Sequence, residues 1–104
     1  MPQVKHVVLM RFREDVPTAQ IEALMDDLAA LRETIPGLLD FSGGAYDSPE
    51  GLNKGFGYGF VVTFADAASR DGYLDHPDHE RVKQKVLPLL DGGLEGVVAF
   101  DYLV

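Results

Sequence analysis

The chain has no cysteine. That absence removes a disulfide framework, a thiolate nucleophile, an iron–sulfur cluster and cysteine-bound zinc in one step. Cations are scarce as well. Nine Lys and Arg stand against 17 Asp and Glu, a formal net charge of −8, which argues against nucleic acid or an anionic membrane as partner, since both are held by positive surface. No apolar run approaches the ~20 residues of a membrane span. The short run at residues 7–10 follows a single lysine and lacks a small-residue cleavage site, unlike a signal peptide. Gly55-Phe56-Gly57-Tyr58-Gly59 lies inside a strand pattern and opens no helix, so it cradles no phosphate. There is no Gly-x-Ser-x-Gly elbow, and Ser42, Ser48 and Ser69 have no evident base. These exclusions leave a cytoplasmic globular protein, with residues 1–104 as one domain.

What is present is regular punctuation. Residues 4–13 carry the period of a strand, broken by Asp15, Pro17 and Thr18, with Thr18 as the expected helix N-cap. Ile21, Leu24, Met25, Leu28, Leu31 and Ile35 then recur at three- and four-residue steps, one stripe of a helix opposite Glu22, Asp26, Asp27 and Glu33. Pro36-Gly37 should end that helix. Residues 38–46 read as a second strand, with Gly43-Gly44 suggesting a bulge or bend, and 47–54 as a polar loop. Phe56, Tyr58, Phe60, Val62 and Phe64 alternate as a third strand. Residues 65–75 form a short helix, 77–89 another opened by Pro77, and 94–103 a last strand. The order β-α-β-β-α-β predicts an α+β, ferredoxin-like fold with an antiparallel sheet and both helical segments on one face.

The strand faces carry a second message. His6, Val8, Met10 and Phe12 point one way from the first strand and Lys5, Val7, Leu9 and Arg11 the other; Val97 and Ala99 oppose Val98, Phe100 and Tyr102 in the last. Neither side is a solvated one. Burying an apolar side chain is worth roughly 1.5–3 kcal/mol, so the side away from the helices predicts a homodimer with its two sheets packed face to face, the alternative being a monomer with an apolar but tolerated face.

Chemistry concentrates in Tyr73-Leu74-Asp75-His76-Pro77-Asp78-His79. His79 falls in the first turn of a helix, where the dipole disfavours imidazolium and a neutral ring can act as a base. Tyr73 ends the preceding helix, where its phenol could hold a carbonyl or enolate oxygen. His6 faces the same interior, and Tyr58 could join them. Each has a structural alternative: His6 as a satisfied core histidine, His76 as an exposed turn residue, His79 as a helix-start stabiliser. Asp75, His76, Asp78 and His79 are dense in donors but lack the spacing of a metal motif, so no metal is assigned.

Several segments resemble the stress-responsive A/B barrel (Dabb) family: Lys5-His6-Val7-Val8-Leu9, Ser48-Pro49-Glu50-Gly51-Leu52, residues 58–64, the Tyr-x-x-His-Pro-x-His run at residues 73–79, and Phe100-Asp101-Tyr102. The resemblance spans essentially the whole chain. It implies a dimeric α+β barrel without a cofactor. Through the family's plant polyketide cyclase type, which closes a linear thioester by aldol condensation, it also implies His79 as base and Tyr73 as oxyanion holder. By the same resemblance His6 lines the pocket, with Val8, Met10, Leu24, Met25, Leu28, Phe60, Val97 and Ala99 as its walls and a small apolar carbonyl compound as ligand. That cyclase has bulky aromatics on the first helix where this chain has Leu24, Met25 and Leu28. The alternatives are a noncatalytic stress-response dimer whose histidines serve packing and, by fold analogy, a cofactor-free monooxygenase-like barrel.

Overall fold

In the computed structural model, which describes residues 2–104, the alternating N-terminal run forms β1 (Val4–Met10). Val4, His6, Val8 and Met10 are buried, whereas Lys5 and Val7 are half-buried and Leu9 is exposed. β1 pairs antiparallel with β3 (Tyr58–Phe64) on one side and β4 (Val97–Leu103) on the other. β2 (Leu38–Ala45) adds antiparallel beyond β3, giving the order β2-β3-β1-β4. Helices α1 (Thr18–Ala30), α2 (Ala67–Asp75) and α3 (Pro77–Val86) cover one face of this sheet. The fold is α+β and ferredoxin-like, with the second crossover helix broken at His76-Pro77.

The core fills the space between the layers. Leu24, Leu28, Leu31 and Ile35 meet Val62, Phe64 and Leu38 there, at the periodicity seen in the sequence. On the other side of the sheet Leu9, Val98, Phe100 and Tyr102 are exposed, with Phe100 at 65%. Among the described residues no helix is long and apolar enough to cross a membrane.

Several boundaries differ from the sequence expectation for local reasons. β1 stops at Met10, its partner Tyr58 being the first residue of β3. Beyond it Arg11 and Arg13 donate their backbone N–H to Gly96 and Leu89, and Phe12 forms only an isolated bridge to Leu90. Pro17 rather than Thr18 is the N-cap of α1 and offers no side-chain bond. α1 tightens into a 3-10 turn at Leu31–Glu33 before Pro36 is reached. Pro88 lies in a second 3-10 turn, Leu87–Leu89, that follows α3, and a third, Gly93–Gly96, precedes β4.

The irregularity in β2 falls between Leu38 and Asp40 rather than at Gly43-Gly44. Gly43 answers a packing need: a Cβ there would lie 2.7 Å from both Met25 Cε and Phe60 Cβ. Asp27, assigned to the solvated face of α1, is half-buried and pairs with Lys85 of α3 at 3.3 Å.

Candidate functional site

The floor of the site is the inner side of the β1–β4 ladder, where His6 pairs with Asp101, Val8 with Ala99 and Met10 with Val97. One wall comes from α3, whose His79, Lys83 and Val86 are spaced four and three residues apart and so share a helical stripe. Between them lies a cavity of about 270 Å³, closed further by Phe60, Leu28 and Leu87. That volume lies just below the ~300–1,000 Å³ range of small-molecule sites.

Two helix ends place the polar groups. Tyr73, near the end of α2, is buried with its ring centroid 5.0 Å from Phe64 and 5.9 Å from His6. His79, in the first turn of α3, lies 4.2 Å from the Tyr73 ring. Burial pushes the Tyr73 phenol well above its usual pKa, so at neutral pH it is a neutral hydrogen-bond donor. Tyr73 lines the cavity, and among the described residues no buried side-chain nitrogen or oxygen is left without a partner.

Burial lowers the His79 pKa, partly offset by a bond of 3.4 Å between Nδ1 and the Leu74 carbonyl. A carbonyl only accepts, so the proton of the neutral ring belongs on Nδ1 and the lone pair on Nε2. Desolvation is thus the leading cause that favours a neutral imidazole at His79.

His6 is held differently. Its Nδ1 lies 2.6 Å from Asp101 Oδ1, while Arg70 donates to Asp101 Oδ2 at 2.8 Å. Burial alone would raise the Asp101 pKa; the bonds from His6 and Arg70 outweigh it and hold the carboxyl below its usual value. An ionised carboxylate accepts only, so His6 Nδ1 donates and the ring's orientation is fixed from behind. His76, expected to be an exposed turn residue, is half-buried; its Nδ1 accepts the Asp78 backbone N–H at 3.1 Å.

Of the residues singled out in the sequence, His6, Val8, Met10, Leu28 and Phe60 line the cavity, together with Tyr73, His79, Val97 and Ala99. Leu24, Met25 and Tyr58 are placed elsewhere. α1 lies over β2; Leu24 is spent in the core and Met25 packs toward Gly43. Tyr58 packs edge-on against Phe12 at 5.8 Å and borders a separate depression with Leu9, Asn53 and Phe56. Sequence reasoning missed Asp101, Arg70 and Lys83. Strand parity with Val97 and Ala99 was the available signal for Asp101, and the four-residue step from His79 was the signal for Lys83. Asp75, His76, Asp78 and His79 do not converge: among the described residues no group of three or more His, Asp or Glu is placed to share a metal ion.

Comparison with known proteins sets this geometry in context. A stress-response A/B barrel domain-containing protein of Arabidopsis thaliana is 32% identical over 99 residues, covering 95% of this chain and 87% of that protein. Olivetolic acid cyclase of Cannabis sativa is 26% identical over 76 residues, 73% of this chain and 75% of the cyclase. Among solved structures, a dimeric ferredoxin-like protein of unknown function from a Jannaschia species superposes with a TM-score of 0.89. It is 28% identical and covers 98% of this chain and 99% of its own. Residues 4–104 match the stress responsive A/B barrel domain, and with the sheet order, the broken second helix and the relatives in agreement, the chain belongs to the Dabb family.

Proposed function

We propose that this protein is a cytoplasmic homodimer of single-domain protomers, closed through the open faces of its sheets. Each protomer would bind a small apolar carbonyl compound and carry out acid–base chemistry on it, without a cofactor, through His79 and Tyr73. The observation that supports this best is the convergence of the His79, Tyr73 and His6 rings on a cavity whose remaining lining is apolar except for Lys83. His79 Nε2 takes a proton from a carbon next to the carbonyl. The developing enolate oxygen accepts a hydrogen bond from the Tyr73 hydroxyl, whose raised pKa keeps it a donor at neutral pH. The apolar walls exclude water and strengthen both interactions. The enolate carbon then attacks a second carbonyl in an aldol-like cyclisation, or is reprotonated elsewhere in an isomerisation. Dimeric description of the Jannaschia structure and the exposed apolar sheet face support the assembly.

A second reading, a noncatalytic stress-response dimer, draws on the Arabidopsis relative and on His6 being tied to Asp101. Deuterium exchange at the acidic carbon of an aryl β-keto thioester, followed by NMR, separates the two. His79→Ala should slow exchange by about 10²–10⁴-fold and Tyr73→Phe by about 10²-fold. Both should leave the melting temperature within ~2 °C. Wild-type exchange at the buffer rate, or a large fall in Tm for His79→Ala, favours the noncatalytic reading.

A further inference from the structure

Lys83 lies one helical turn beyond His79, and the two share the stripe of α3 that faces the cavity. Among the described residues lining that cavity Lys83 is the only lysine or arginine, and no aspartate or glutamate lines it. The other cations of α3 are better engaged. Arg81 reaches Asp78 at 3.0 Å and Lys85 reaches Asp27 at 3.3 Å, whereas Lys83 stands 3.9 Å from Glu80, the outer limit of an ion pair. Its side chain lines the cavity and is 44% exposed, as for a lysine whose apolar stem borders a cavity while its ammonium stays in water.

We infer that Lys83 selects an anionic head group, making the preferred ligand an apolar carboxylic acid with its chain inside the cavity and its carboxylate on Lys83 Nζ. This rests on the proposal that the cavity binds a small molecule, and it names the class. About nine water volumes (~30 Å³ each) fill 270 Å³, which suits a short arylalkyl or medium-chain acid. Lys83 as donor meets the carboxylate, while a keto group carried on the chain of such an acid lies toward Tyr73 and His79.

The test is calorimetric titration of the full-length protein with 4-phenylbutanoate and with the near-isosteric 4-phenylbutanamide, at about pH 8 and low salt. In the wild type the acid should bind about fivefold tighter than the amide, the upper end for a solvent-exposed ion pair. Lys83→Met, which keeps the stem, should bring that ratio to one while leaving amide affinity unchanged; Arg81→Met, on the same helix but outside the cavity lining, should preserve the ratio. Equal binding of acid and amide by the wild type, persistence of the preference in Lys83→Met, or its loss in Arg81→Met overturns the inference and leaves the cavity proposal standing. Failure of both probes to bind the wild type sinks the cavity proposal, and the assignment of Lys83 with it.

Discussion

Replacing Asp101 with asparagine keeps the shape of the side chain and removes its charge. In the native arrangement one carboxylate oxygen accepts from His6 at 2.6 Å and the other from Arg70 at 2.8 Å. Asparagine has one acceptor oxygen and one NH2, so it must turn a donor toward one of those two partners. Leaving a partly buried donor without an acceptor costs about 1–3 kcal/mol. The Arg70 and Asp101 side chains are each 24% exposed, which admits some solvent and holds the estimate near 2 kcal/mol. At roughly 2.1 cal/mol/K of unfolding entropy per residue over 104 residues, that is a fall in Tm of about 9 °C.

Differential scanning calorimetry at one fixed protein concentration would measure this shift, since self-association makes Tm concentration-dependent. The sign with pH is also determined. The folded-state pKa of Asp101 is depressed, so its contribution is present above the unfolded value near ~3.9 and is lost as pH falls through the folded value. The gap between wild type and Asp101→Asn should therefore close in acid. A Tm difference below ~2 °C at neutral pH, or one that widens in acid, would refute the view that the His6–Asp101–Arg70 bridge stabilises the fold.

His79 titrates lower than an ordinary histidine because it is buried. As a base it is active only when unprotonated, so the acidic limb of a pH–rate profile should inflect below ~6.5, with an inflection above that value counting against His79 as the base. Its proton is bound more tightly in the unfolded chain, so wild type should lose stability relative to His79→Gln as pH falls below ~6.5, a trend that pH-dependent melting would reveal. Phe100→Glu should convert a dimer to monomers by light scattering without loss of helical circular dichroism, because Phe100 is already 65% exposed in the protomer. Two-fold symmetry counts the lost burial twice, about 3 kcal/mol or ~10²-fold in dissociation constant. An unchanged dimer would remove the sheet face from the interface.

Much of the architecture was legible because its cause is periodic. β1 alternates and buries its even-numbered residues, and the α1 stripe through Leu24, Leu28 and Leu31 lies in the core. Boundaries were less legible where tertiary bonds decide them: β1 ends where β3 supplies no partner past Tyr58, and no local signal marks the β2 irregularity between Leu38 and Asp40. Met25 and Leu28 satisfy the same helical pattern, yet Leu28 alone of the two lines the cavity, which depends on where α1 sits over the sheet. Asp101 was hidden for a related reason. Its tie to His6 spans 95 residues and exists only once β1 and β4 pair.

His76 ends α2 and begins α3, so Tyr73 and His79 hang on opposite sides of a one-residue joint. Pro77 bars its predecessor from helical backbone, and His76 accordingly adopts ψ 136°. The spacing between phenol and imidazole is thus a property of one seven-residue stretch, governed by covalent geometry at an elbow, and little of it is delegated to distant packing. Changes elsewhere in the chain can reshape the chamber while this pair stays in register; a substitution at Pro77, which is not among the residues lining the cavity, would loosen the elbow that holds them.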